Sequence, residues 1–271
     1  MKLHIYQPEN ELKEYIRSVI YYSGYTCQEK YETILPDGTT QLIIELDNNA
    51  RVICLDKNNM QESAIYRNSW ITGIFTRPLT YESEQNATTI CVQFEPHAIH
   101  RFLNLPATAL ADSVVETELI TGKEILDLRN RLINCPTVPG TINLLLSYLE
   151  KKLSRSKSRS FQCAEIINSP TFTGDDLQQL SFKSGISQKH FIKRFSQTIG
   201  ITPKKFQTIQ KIKYAIELLN SGSYYSMAGV AIEAGFYDQS HFISIFKKTT
   251  GLTPSRYHSF SKAYPHVIAF S

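Results

Sequence analysis

The chain has 271 residues, 42% of them apolar and 20% charged, which is the balance of a globular protein of one large or two ordinary domains. No apolar run approaches the roughly 18 residues that a membrane-crossing helix needs, and Met1–Pro8 lacks the apolar stretch of a secretory signal, so a cytoplasmic protein without membrane contact is expected. Charge is unevenly spread: residues 1–153 hold 14 Lys and Arg against 19 Asp and Glu, a net of −5, and residues 154–271 hold 15 against 6, a net of +9, which points to two units with a polyanion as partner of the second.

Residues 8–22 place Leu12, Tyr15, Ile16 and Val19 on one face and predict a helix. Short apolar runs follow at Gln41–Leu46, Arg51–Leu55, Trp70–Phe75, Leu79–Tyr81 and Thr89–Phe94, with turn sequences such as Leu35-Pro36-Asp37-Gly38 and Asp47-Asn48-Asn49 before and between them. Many short strands between turns predict an antiparallel barrel or sandwich. After Pro96 the spacing becomes helical. A short His97–Leu103 is followed by Ile120–Ile133, with Ile125, Leu128 and Leu132 on one side, and by Thr141–Leu153, with Leu144, Leu145, Tyr148 and Leu149. These helices either cover the barrel or pair two chains. Ser154–Ser160 alternates serine with Arg155, Lys157 and Arg159, has nothing to bury, and reads as a linker whose cations also suit phosphates. The domains expected are 1–153, a linker at 154–160, and 161–271.

The second unit is almost wholly helical. The expected elements are Phe161–Asn168, Asp175–Lys183, a helix capped by Ser187 and ending near Ile199, a long helix opened by Pro203 and ending near Leu219, Ser226–Ala234, Asp238–Thr250, and a last helix from Pro254. One pattern occurs in it twice. Phe195, Gly200, Pro203 and Phe206 recur as Phe246, Gly251, Pro254 and Tyr257 at a constant offset of 51, with one residue inserted between Gly235 and His241.

Each copy reads as helix, glycine-bearing turn, helix, the glycines being Gly185 and Gly235. Phe191/Phe195 and Phe242/Phe246, spaced i, i+4, anchor each second helix to its own small core. The helical period then leaves Gln188, Lys189, Ile192 and Lys193 outward in the first copy, and Gln239, Ser240, Ile243 and Ser244 in matching slots of the second. Lysine can donate to guanine, glutamine can bracket adenine, and isoleucine can meet a thymine methyl. His190, Arg194, Lys247 and Lys248 lie beside them, placed for phosphates. Two such helices on one rigid connector would enter successive major grooves, about 34 Å apart. A duplicated helical unit can also be an interaction module. The doubling, the local charge and the long connecting helix favour double-stranded DNA.

The run Ile232-Glu-Ala-Gly-Phe-Tyr-Asp-Gln-Ser-His-Phe-Ile-Ser-Ile-Phe-Lys-Lys-Thr-Thr-Gly-Leu-Thr-Pro254 resembles the signature of AraC/XylS-type transcription regulators. Gly185-Ile186-Ser187 with Phe191, Lys193, Arg194 and Phe195 matches that family's first helix-turn-helix. The resemblance covers about residues 161–260. It implies a transcription regulator, with base contacts from Lys189 and Lys193. Family members often carry Arg where Ser244 stands, so the second reading face is uncharged here. Leu35–Gly38, Gly73–Pro78, Val92–Pro96 and Asn104–Ala107 resemble a sensor-type domain that precedes such units. The fold class expected is α+β: an N-terminal antiparallel, cupin-like β-barrel with flanking helices, then an all-α double helix-turn-helix domain.

Other chemistry finds little support in the sequence. His97 and His100 stand at i, i+3 without an acidic residue at ligand spacing, and read as surface or capping histidines rather than metal ligands. Cys27, Cys54, Cys91, Cys135 and Cys163 are scattered and read as reduced thiols. Tyr66, Trp70 and Phe75 suit a pocket wall but more simply a core. No nucleophile–base signature or phosphate-cradling loop occurs, so neither catalysis, a cofactor nor a metal is expected. The partners expected are promoter DNA, a small-molecule effector or a second copy acting through the first domain, and RNA polymerase for an activator. Two alternatives stay open: a constitutive DNA binder with a structural first domain, and a DNA-linked enzyme. The enzyme would need a reactive cysteine in a Pro-Cys-His-Arg-like setting, which neither Cys135-Pro136 nor Glu95-Pro96-His97 reproduces.

Overall fold

The computed structural model describes residues 1–54, 63–156, 167, 174–222, 224–259 and 267–270. The expected helix Phe161–Asn168 lies outside the described residues except for Ile167, as do residues 157–160 of the expected linker. The first half opens with strands β1 (Lys2–Tyr6), β2 (Ile16–Tyr25), β3 (Tyr31–Ile34), β4 (Thr40–Glu45) and β5 (Arg51–Cys54). It continues through β6 (Ser63–Tyr66), β7 (Ser69–Thr72), β8 (Leu79–Glu82) and β9 (Ala87–Phe94). Then come α1 (Ile99–Leu103), β10 (Val114–Glu116), α2 (Thr117–Thr121), α3 (Glu124–Ile133) and α4 (Val138–Arg155). The helical half has α5 (Gly174–Lys183), α6 (Gln188–Ile199), α7 (Pro203–Ser221), α8 (Met227–Glu233), α9 (Gln239–Thr250) and α10 (Pro254–Ser259), and it ends in β11 (Val267–Phe270).

The strands form two antiparallel sheets rather than one closed ring. The six-stranded sheet has the order β1-β2-β9-β4-β7-β10 and the five-stranded sheet β11-β3-β8-β5-β6. The expected helix over 8–22 is instead a single 3-10 turn, Glu11–Glu14, running into β2. Leu12, Ile16 and Val19 are all buried as the spacing required. The run Val19-Ile-Tyr-Tyr is β-branched and aromatic, however, and finds β1 on one side and β9 on the other. Ile120–Ile133 is two helices, interrupted at Gly122.

Period-two alternation sorts the six-stranded sheet into layers. Leu42, Ile44, Ile71, Ile90 and Val92 join one core with Ile125, Leu128 and Leu132 of α3 and with Leu145 and Leu149 of α4. Those helices therefore cover the sheet. The alternate residues Gln41, Ile43, Trp70, Cys91 and Gln93 face the other sheet across a cavity of about 370 Å³. Trp70 thus serves as pocket wall as well as core, packed with Tyr66 and, more loosely, Phe75. Above the cavity Arg51 is buried among carboxylates. Its Nε donates to Glu84 at 2.7 Å, and its Nη2 donates to Asp47 at 3.0 Å and to Glu45. His97 and His100 are half-buried rather than at the surface, and burial lowers both imidazoles below their ordinary value.

Among the described residues the two halves touch at several places. Leu35 and Ile268 belong to one core with Ile212, Ile216, Phe242 and Phe246. Ile74 belongs to another with Phe191, Phe195 and Phe206. Gly200 packs onto the Ala107 carbonyl, where an added Cβ would stand 3.1 Å from the oxygen. The expected division at 161–271 groups Val267–Phe270 with the helices. By pairing, β11 completes the five-stranded sheet beside β3.

Gly73 follows β7 where Leu110 crosses, and a Cβ there would fall 1.8 Å from the Leu110 carbonyl oxygen. Neither backbone can yield cheaply, since Gly73 N–H also donates to Ser113 O at 3.1 Å. Gly73→Ala is expected to lower stability by at least about 1–3 kcal/mol, the range for forced overpacking. Denaturant unfolding checks this, and an unchanged midpoint would mean that the 107–112 segment relaxes freely.

Candidate nucleic-acid interface

The two helix pairs α5–α6 and α8–α9 are built by the same local chemistry. Each second helix is capped by a side chain that accepts from a backbone N–H three residues on. Ser187 accepts from His190 at 3.4 Å, and Asp238 from His241 at 2.7 Å. The turns before them pass through left-handed glycines, Gly185 at φ 63° and Gly235 at φ 78°, a conformation that costs a residue with a Cβ. Thr202 caps the connector α7, and its Pro203 stands at the first helical position.

Beneath each turn the phenylalanine pair is sealed. Phe191, Phe195, Phe242 and Phe246 are all fully buried, and burying such a ring is worth roughly 1.5–3 kcal/mol. The rings of Phe242 and Phe246 meet edge to face at 5.5 Å, and Phe195 meets Phe206 of α7 in the same manner at 5.9 Å. This fixes which side of each helix can face outward. Gln188, Lys189 and Lys193 are exposed and Ile192 is half-buried. In the second copy Gln239, Ser240 and Ser244 are exposed, while Ile243 is half-buried against its own core and offers only part of its side chain. His190, Arg194, Lys247 and Lys248 are exposed as well. The contact of the C-terminal end of α6 with Ala107 leaves this outward face open.

One exposed residue escaped the sequence reading. Ser187 and Asp238 are the matching caps, so the residue inserted in the second copy is Tyr237. It stands 90% exposed immediately before the cap Asp238, two residues ahead of Gln239. An aromatic ring with a hydroxyl at that place can meet a thymine methyl or a phosphate. The break in the 51-residue offset was the available signal. Lys211 of α7 donates to the carbonyl of Gly235, tying the connector to the second turn.

Two capped helix-turn-helix units on one shared connector define a double helix-turn-helix DNA-binding domain. Residues 180–259 match the family model described as a helix-turn-helix domain. Residues 4–116 match a domain of unknown function (DUF6597). An uncharacterized HTH-type transcriptional regulator of Haemophilus influenzae is 35% identical over 81 residues, which is 30% of this chain and 27% of that protein. The MmsAB operon regulatory protein of Pseudomonas aeruginosa is 37% identical over 82 residues, covering 30% and 26%. The match therefore spans about a quarter of the length of these curated relatives. ToxT of Vibrio cholerae O395 aligns at a TM-score of 0.42 with 14% identity, over 88% of this chain and 96% of that one.

Proposed function

We propose that the chain is a sequence-specific transcription regulator acting in the cytoplasm, whose helices α6 and α9 enter successive major grooves of a promoter. The observation that carries this reading is the pair of exposed polar faces opposite sealed phenylalanine pairs. Lys189 and Lys193 face bases in the first groove with Gln188 and Ile192 beside them. Gln239, Ser240, Ile243 and Ser244 take the same stations in the second. His190, Arg194, Lys247 and Lys248 hold phosphates. The first helix supplies most of the electrostatic grip, and the second is a neutral reader. The N-terminal unit sets activity through a small ligand or through pairing of two chains, and RNA polymerase is the protein partner. The relatives' names support a regulatory role rather than an enzymatic one.

Footprinting of the purified protein on the DNA upstream of its own gene tests the proposal. The expected result is two protected stretches on one face, about one helical turn apart. With about four phosphates contacted, at about −0.9 in the log–log slope for each, affinity should fall on the order of a hundredfold between roughly 50 and 200 mM salt. A flat salt dependence would overturn the assignment of the cations to phosphates. Promoter occupancy indifferent to every ligand would favour a constitutive binder with a structural N-terminal unit.

A further inference from the structure

The cavity between the sheets has a chemical bias. Its body is apolar, walled by Ile34, Ile43, Ile53, Trp70, Leu79 and Val267. At about 370 Å³ it falls within the range of small-molecule sites. The side chains that line it carry mostly negative charge. Glu32, Asp37 and Glu84 line it, and among the described side chains that line it Arg51 is the single cation. That guanidinium is already committed to Glu84, Asp47 and Glu45, so it has little to offer an incoming anion.

Glu32 is the group without enough partners. It is 2% exposed, its Oε1 accepts from the Tyr25 hydroxyl, and its Oε2 has no partner. A buried carboxylate oxygen left unpaired costs free energy that a donor in the cavity would recover. Burial also pushes the Glu32 carboxyl above its usual range, and a cation beside it would restore the ionised form.

The geometry points to a ligand with an apolar body and a protonated amine head, seated on Glu32. The inference rests on the reading of the N-terminal unit as ligand-responsive. It goes further by giving the ligand a class and by excluding carboxylates. The wall that such a ligand meets is shared with the DNA-binding half. Glu32 pairs with Ala269 and Ile34 with Val267, and of these Glu32, Ile34 and Val267 line the cavity. One step along each strand the faces alternate: Leu35 and Ile268 enter the core that holds Ile212 and Phe246. Two strands thus separate the ligand from the second helix-turn-helix.

The test uses the full chain and three probes of matched shape: phenylbutylamine, phenylbutanol and phenylbutanoate, by isothermal titration in the absence of DNA. The amine is expected to bind at least about tenfold more tightly than the alcohol, and the carboxylate to bind least. Glu32→Gln should erase the preference for the amine while leaving the alcohol's affinity within about twofold. If that variant does not fold, the ranking in the unmodified protein decides alone. Equal binding of all three, tighter binding of the carboxylate, or no binding of any at millimolar concentration overturns the inference. Because DNA is absent, failure of the promoter footprint and failure of this ranking are separate results.

Discussion

Replacing Lys189 and Lys193 together by alanine is expected to weaken promoter binding by about 1–3 kcal/mol for each lysine, roughly tenfold for every 1.4 kcal/mol. Protection should disappear mainly over one half of the footprint. Both side chains are exposed on α6, opposite the buried Phe191 and Phe195, so their removal leaves the core intact. A matched double variant, Ser240→Ala with Ser244→Ala on α9, removes no charge and should cost less. The salt dependence separates two roles for the lysines. If they read bases, the slope stays as it was; if they hold phosphates, it becomes shallower by about 0.9 for each phosphate no longer neutralised. Fluorescence anisotropy on the footprinted duplex measures both quantities. An unchanged affinity and footprint would mean that α6 meets DNA by another face, or not at all.

The outward stations of α6 and α9 were legible because a helix with two buried rings four residues apart has only one outer side. The caps Ser187 and Asp238 were legible for an equally local reason: each needs only a side-chain oxygen three residues before a free N–H. What the sequence hid was non-local. Leu12, Ile16 and Val19 fit a helical face, and only the pairing of β2 with β9, some 70 residues away, decides for a strand. β11 is four residues whose partner lies more than 230 positions earlier, and nothing in Val267-Ile-Ala-Phe announces it. The acidic cavity and the carboxylates that hold Arg51 are dispersed in the same way. Glu32, Glu45, Arg51 and Glu84 come from separate strands and the turn after β8, and only the topology brings them together.

The cluster around Arg51 is where the largest loss of stability is expected. Arg51→Met keeps much of the side-chain volume but strands Glu45, Asp47 and Glu84 without their shared counter-charge. Removing one partner of a buried ion pair costs about 3–5 kcal/mol. The variant should show that loss in denaturant unfolding at neutral pH. The sign of its pH dependence follows from the carboxyls. Burial pushes Glu45 up to about 8, with Arg51 opposing it, and raises Glu84 as well. A carboxyl raised in the folded state favours folding fully below its unfolded value, near 4.5, and loses that contribution as pH rises through the folded value. Without Arg51 both groups rise further, so the loss extends to higher pH. The gap between variant and unmodified protein should therefore be narrowest toward pH 5, where the acids take up protons, grow with pH, and still be widening above pH 8. Addition of Glu45→Gln to the variant should recover part of the loss at pH 8, since the amide carries no charge to strand. A gap that stays constant from pH 5 to pH 8, with no recovery in the double variant, would show that Arg51 serves the cavity roof by packing alone.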